Sequence, residues 1–136
     1  MTKPAQSRAS VSIGTTLSPG RVLELAEAAA GKVRDDTGRV RVQNRTLNDV
    51  GLSLHDLITA EELMRFTVEA QRAAGRTTAR TAINSFQTKE GGVASLVPMG
   101  RRKLLGFSVY TVYMDWLVSG VLAEDPQAIV TLVTGD

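Results

Sequence analysis

The sequence contains no cysteine and only one histidine, His55. The first absence excludes disulfides, thiolate metal ligands and cysteine nucleophiles. The second excludes a metal site built from two histidines of one chain and leaves a single imidazole as a candidate base. There is no nucleophile elbow. Nor is there a phosphate-binding glycine loop: Gly91-Gly92 fits a hairpin turn, and Gly100-Arg101-Arg102-Lys103 lacks the first glycine at the required spacing. No catalytic set, metal or cofactor is therefore expected, and an enzyme ranks behind binding roles. Internal repeats, low-complexity tracts and interdomain linkers are missing as well. No apolar run follows Lys3 and Arg8, so Met1–Ser10 lacks the form of a secretory signal. It is expected to be a disordered polar arm ahead of a single domain over 11–136. The lack of cysteine is compatible with a reducing cytoplasm, the location expected here.

What is present has the balance of a globular domain. The 136 residues suffice for one core, with 43% hydrophobic and 22% charged side chains. Sixteen basic residues against fourteen acidic ones give a formal charge of +2, too small an excess to dictate an anionic partner.

Val11, Ile13 and Leu17 share one face of an alternating first strand, which stops at Ser18-Pro19-Gly20. The Ser18 hydroxyl suits a helix N-cap, and Pro19 has the dihedral of a first helical position. Val22, Leu25, Ala26, Ala29 and Val33 then follow helical spacing up to a stop near Gly31. Two alternating segments follow. In one, Arg39, Arg41 and Arg45 share an outer face; in the other, Val50, Leu52 and Leu54 oppose His55. The stretch 60–74 is rich in helix formers, and a helix from Thr59 is compatible with it. Strict alternation of Met64, Phe66, Val68 and Ala70 with polar residues favours a strand. Arg72 to Gly75 then closes a hairpin into a strand over 76–87, and a further strand is expected over 93–97.

The segment Leu104 to Leu122 holds a single formal charge, Asp115, together with both tyrosines and the only tryptophan. As a helix it carries one narrow polar stripe, Ser108, Thr111, Asp115 and Ser119, and is apolar elsewhere. Its length just suffices to cross a bilayer, and Arg101-Arg102-Lys103 would flank such a span. A mid-span carboxylate costs ~3 kcal/mol on insertion scales, so a membrane partner is not expected. The expectation is instead that the helix, Trp116 included, is hidden against the antiparallel strands. Asp125-Pro126 ends it, and Ile129, Thr131 and Val133 mark a last strand. The expected fold is α+β: an antiparallel sheet of about six or seven strands, with a short N-terminal helix and a long C-terminal helix on one face (β-α-β(n)-α-β).

This order of elements resembles the START-like, helix-grip superfamily, whose members hold lipids, polyketides or other apolar ligands between sheet and helix. The chain departs from that pattern in two ways. It has one helix instead of a pair after the first strand, and it adds a strand after the last helix. The superfamily has no shared catalytic motif, so none of its functional residues carries over. Thr77-Thr78 with Thr81, Leu96-Val97-Pro98 with Gly100, Gly106-Phe107-Ser108-Val109-Tyr110 leading to Met114, and Asp125-Pro126 form a second likeness. Between Arg76 and Asp125 the chain resembles small uncharacterised actinobacterial proteins, a resemblance that implies no activity.

The aromatic helix with its one acid points first to a non-enzymatic role. That role is binding a small apolar ligand between sheet and long helix through Tyr110, Thr111, Tyr113, Asp115 and Trp116. Aromatics at helical spacing also pack as core or interface, and Asp115 also fits a solvent-facing stripe. The alternative is a homo-oligomeric interaction module using the same apolar helix surface. Arg101, Arg102 and Lys103 stand where a helix dipole disfavours cations, which suggests contact with an external anion or a partner's carboxylates. The basic strand face, joined by Arg65 and Arg80 if their strands are neighbours, could meet nucleic acid. The absence of interleaved aromatics argues against that partner.

Overall fold

The computed structural model describes residues 4–88 and 104–133. A six-stranded antiparallel sheet carries two helices on one face, an α+β architecture. In chain order the elements are β1 (Ser10–Thr15), α1 (Pro19–Lys32), β2 (Gly38–Arg45), β3 (Asp49–Asp56), β4 (Glu62–Ala73), β5 (Arg76–Phe86), α2 (Phe107–Glu124) and β6 (Ile129–Val133). The strands lie in the order β2-β3-β4-β5-β1-β6, so the first strand is inserted between the fifth and the last.

Period-two patterning sets the covered face. Val11, Ile13 and Thr15 of β1, Val50, Leu52 and Leu54 of β3, Phe66, Val68 and Ala70 of β4, and Thr77, Ala79 and Thr81 of β5 are all buried. In register, Leu52 lies opposite Phe66, and Phe66 opposite Ile83. The stretch with helix-forming residues is thus a central strand. Its alternating side chains meet apolar partners on both neighbours, and that packing outweighs local propensity. The β4–β5 hairpin turns on Ala74 and Gly75, with φ of 54° and 79°, as a two-residue turn with two left-handed positions requires.

Helix α1 begins where its cap dictates: Ser18 Oγ accepts from Arg21 N at 3.1 Å, and Pro19 is the first helical residue. It buries Val22, Leu23, Ala26, Ala29 and Ala30 and runs one residue past Gly31 to Lys32. Helix α2 starts three residues later than Leu104. Leu104 bridges to Thr88, Leu105 N donates to Gln87 O at 2.9 Å, and Gly106 is left-handed at φ 77°. A Cβ on Gly106 would lie 2.6 Å from Leu54 Cδ2, so both the turn and the close approach require glycine there.

The space between sheet and helices is filled by aromatic packing. Phe66 meets Tyr110 and Tyr113 edge-on, with ring centres 5.1 and 5.0 Å away. Tyr110 donates its phenol to Ala9 O at 2.8 Å and touches Thr81 Oγ1 at 2.9 Å; that hydroxyl in turn accepts from Val11 N. Tyr113 donates to Ala26 O at 2.7 Å. Both phenols therefore satisfy their polar ends within the core.

Two expectations are corrected. Residues 4–10 are not a disordered arm: Ala5–Arg8 forms a 3-10 turn, Ala9 is buried, and Gln6 Oε1 accepts from Leu104 N at 2.8 Å. Trp116 is not hidden either. It is 41% exposed, with Lys32 Nζ 5.6 Å from its ring centre. Lys32 is the last residue of α1, so Trp116 lies beside that helix end. The strand expected over 93–97 lies outside the described residues. Among the described residues no helix is long and apolar enough to cross a membrane.

Candidate functional site

The five residues expected to surround a ligand do not converge. Tyr110 and Tyr113 are core residues whose phenols are already hydrogen-bonded, and Thr111 turns its hydroxyl to Ser108 O at 2.7 Å. Asp115 is exposed on the polar stripe, and Trp116, about 100° further round the helix, lies beside Lys32. A helix presents its residues around a full circle, so neighbours in sequence face different surroundings. Asp115 lines a shallow groove with Met114, Val118, Val130 and Leu132, and among the described residues neither a tyrosine nor an arginine joins it there. Arg101, Arg102 and Lys103 lie outside the described residues.

A recess of about 600 Å³ lies instead at the start of α2. Four separate stretches of the chain build it. Leu63 of β4, Leu104, Leu105 and Phe107 supply an apolar floor; Asp56 and Glu61 bring carboxylates from the β3–β4 turn; Gln6, Thr37, Thr59 and Ser108 complete the rim. Among the described residues no basic side chain lines it. The volume falls within the range of small-molecule sites, which are apolar concavities with a few polar groups that fix orientation.

The turn that carries the carboxylates is held firmly. Asp56 Oδ2 accepts from Thr59 N at 2.8 Å and Ile58 N at 3.0 Å, and Asp56 N donates to Glu61 O. These amides, Thr59 first, hold the Asp56 carboxyl below the usual carboxylate range, so it stays charged. Ala60, with φ of 62°, closes the turn, and its carbonyl accepts from His55 Nδ1 at 3.1 Å. His55 Nε2 is then left to accept from Ser53 Oγ at 2.8 Å, while Gln43 Nε2 donates to the same hydroxyl at 2.6 Å. The single histidine thus ties β3 to the turn at the rim of the recess. It lies, as its alternation with Leu52 and Leu54 indicates, on the uncovered face of the sheet.

The basic strand face divides. Arg39 and Arg41 lie opposite His55 and Ser53, and Arg65 lies opposite Ser53 from the other side. Arg45 does not join them. A bulge between Val42 and Asn44 reverses the alternation and sends Arg45 over the covered face to an ion pair with Glu27 of α1. Arg80 of β5 lies opposite Glu69 of β4. Arginines that the period-two pattern placed together are separated by one extra residue.

None of the recess residues figured among the candidate ligand contacts. They come from points between Gln6 and Ser108, and no contiguous motif joins them. The one local signal was Gly106, directly ahead of an aromatic helix.

No family model matches the chain, and no curated protein or solved structure is similar to it. The functional reading therefore rests on geometry.

Proposed function

We propose that the protein binds a small apolar molecule carrying an amine or other cationic head, in the recess between the first turn of α2 and the β3–β4 end of the sheet. The observation that carries this reading is the pairing, among the described residues, of an apolar floor with the two acidic residues Asp56 and Glu61. The apolar tail would displace water from Leu63, Leu104, Leu105 and Phe107, at roughly 25 cal/mol per Å² of surface covered. The head would meet Asp56 and Glu61, whose turn is already ordered, so little entropy is lost on binding. The helix-grip resemblance points the same way: a ligand held between long helix and sheet, here at the mouth of that interface and not within it.

The experiment is a titration with dodecylamine and, separately, dodecanoate, followed by calorimetry and by backbone amide NMR. Dodecylamine is expected to shift the amides of Leu63, Leu105 and Ser108 and to bind at least tenfold more tightly than dodecanoate. Glu61→Gln should weaken the amine alone, and Leu63→Asp should weaken its tail contact. Equal affinity for both amphiphiles, or shifts confined to other surfaces, would overturn the reading.

A further inference from the structure

We infer that β6 is a self-association edge, and that two copies of the chain join through antiparallel β6–β6 pairing into one continuous twelve-stranded sheet. The two edges of the sheet differ in kind. At one edge β2 carries Arg39, Arg41 and Arg45, charged side chains that guard an edge against pairing. At the other edge β6 reads Ile129-Val130-Thr131-Leu132-Val133, with no charge and no proline, and all five residues are exposed. Among the described residues nothing pairs with its outer side.

The sequence of β6 is self-complementary in register. A two-fold axis through Thr131 sets Ile129 opposite Val133, Val130 opposite Leu132, and Thr131 opposite itself. Face parity is preserved. Val130 and Leu132 pair with Ile13 and Val11 of β1, so both lie on the helix-covered face, whereas Ile129 and Val133 lie on the other. Each face of the junction then gathers four apolar side chains, one of the better cross-strand combinations. On the covered face these four side chains would also close the shallow groove of about 270 Å³ beside Met114 and Val118 of each α2.

The exposed area fits a weak dimer. Ile129, Leu132 and Val133 are 64%, 57% and 46% exposed, and Val130 is 36% exposed. With Thr131 they present roughly 450 Å² per copy, about 900 Å² for the pair, at the lower, transient end of specific interfaces. The arginines of β2 stop growth at two copies, because pairing that edge with itself would set like charges face to face.

The test is sedimentation equilibrium of the full chain, wild type and two charge variants, with circular dichroism to confirm folding. The wild type is expected to dimerise in the micromolar range. Thr131→Lys and Thr131→Glu each place like charges on the two-fold axis and should weaken the dimer at least tenfold. An equimolar mixture of the two should recover a heterodimer, which a merely misfolded strand would not. A wild-type monomer at high concentration, an oligomer beyond two, unaltered self-association of the single variants, or failure of the mixture to pair would each overturn the inference. Capture of a foreign strand by a chain that is itself monomeric belongs to that first outcome.

Discussion

The phenol of Tyr113 on α2 donates to the main-chain oxygen of Ala26 on α1, 2.7 Å away, across the seam between the two helices. Both groups are buried, so this bond is made where water cannot replace it. Tyr113→Phe keeps the ring and its edge contact with Phe66 but removes the donor. It is expected to lower stability by about 1–1.5 kcal/mol in urea unfolding, with the slope against denaturant unchanged.

Phe66 is the centre of the core, fully buried and in edge contact with both tyrosines. Phe66→Leu removes the aromatic contacts while retaining bulk and should cost about 1–2 kcal/mol. Phe66→Ala leaves a cavity and should cost ~3–5 kcal/mol, enough to unfold a marginal domain. Urea unfolding of the pair checks the ranking; equal losses would mean that the site collapses around the smaller side chain.

Burial pushes the Tyr110 hydroxyl up to about 12 from an ordinary 10.0, and burial raises Tyr113 further. An acid whose folded pKa is raised binds its proton more tightly in the native state. Its stabilisation is therefore complete below pH 10 and is lost as pH rises from 10 through 12. Stability should fall over that interval, with tyrosinate absorbance appearing together with unfolding. Tyr110→Phe should make the loss shallower.

Asp125 closes α2 and bonds to the far end of β1: its Oδ2 accepts from Thr15 Oγ1 at 2.7 Å and Thr16 N at 3.1 Å. The Thr15 hydroxyl first, then the Thr16 amide, hold its carboxyl below the usual range. A depressed folded pKa gives stability that is present above the unfolded value of 3.8 and lost as pH falls below it. Asp125→Asn is expected to lower the thermal midpoint at neutral pH and to flatten the acid limb of the stability curve. A parallel shift of the whole curve would contradict this.

Gly106→Ala forces a side chain into a left-handed turn and against Leu54. The expected cost is about 1–3 kcal/mol. Because Gly106 also lines the recess, the variant should lose affinity for dodecylamine before it loses its fold. Comparing calorimetry with urea unfolding separates the two effects.

Much of the architecture was legible in the sequence because it is set by local periodicity. Alternation placed β1, β3, β4 and the hairpin at Ala74-Gly75. Ser18 and Pro19 fixed the start of α1, Asp125-Pro126 the end of α2, and the scarcity of charge between Leu104 and Leu122 required a covered helix. What periodicity cannot convey is which partner each face meets. It gave a circle of aromatics on α2 without saying that Phe66 fills the space between Tyr110 and Tyr113, or that Trp116 would stand clear of both. It gave three arginines at even spacing, and one bulge moved Arg45 to the other face. The recess was invisible for the same reason: Gln6, Asp56, Leu63 and Phe107 share no local pattern and meet only when the strand order and the helix crossing are fixed. Sequence alone determined the elements and the buried stripe of each, because backbone geometry ties side-chain direction to residue spacing. Tertiary structure alone decided the site, because long-range packing chose which of those stripes meet and what space is left between them.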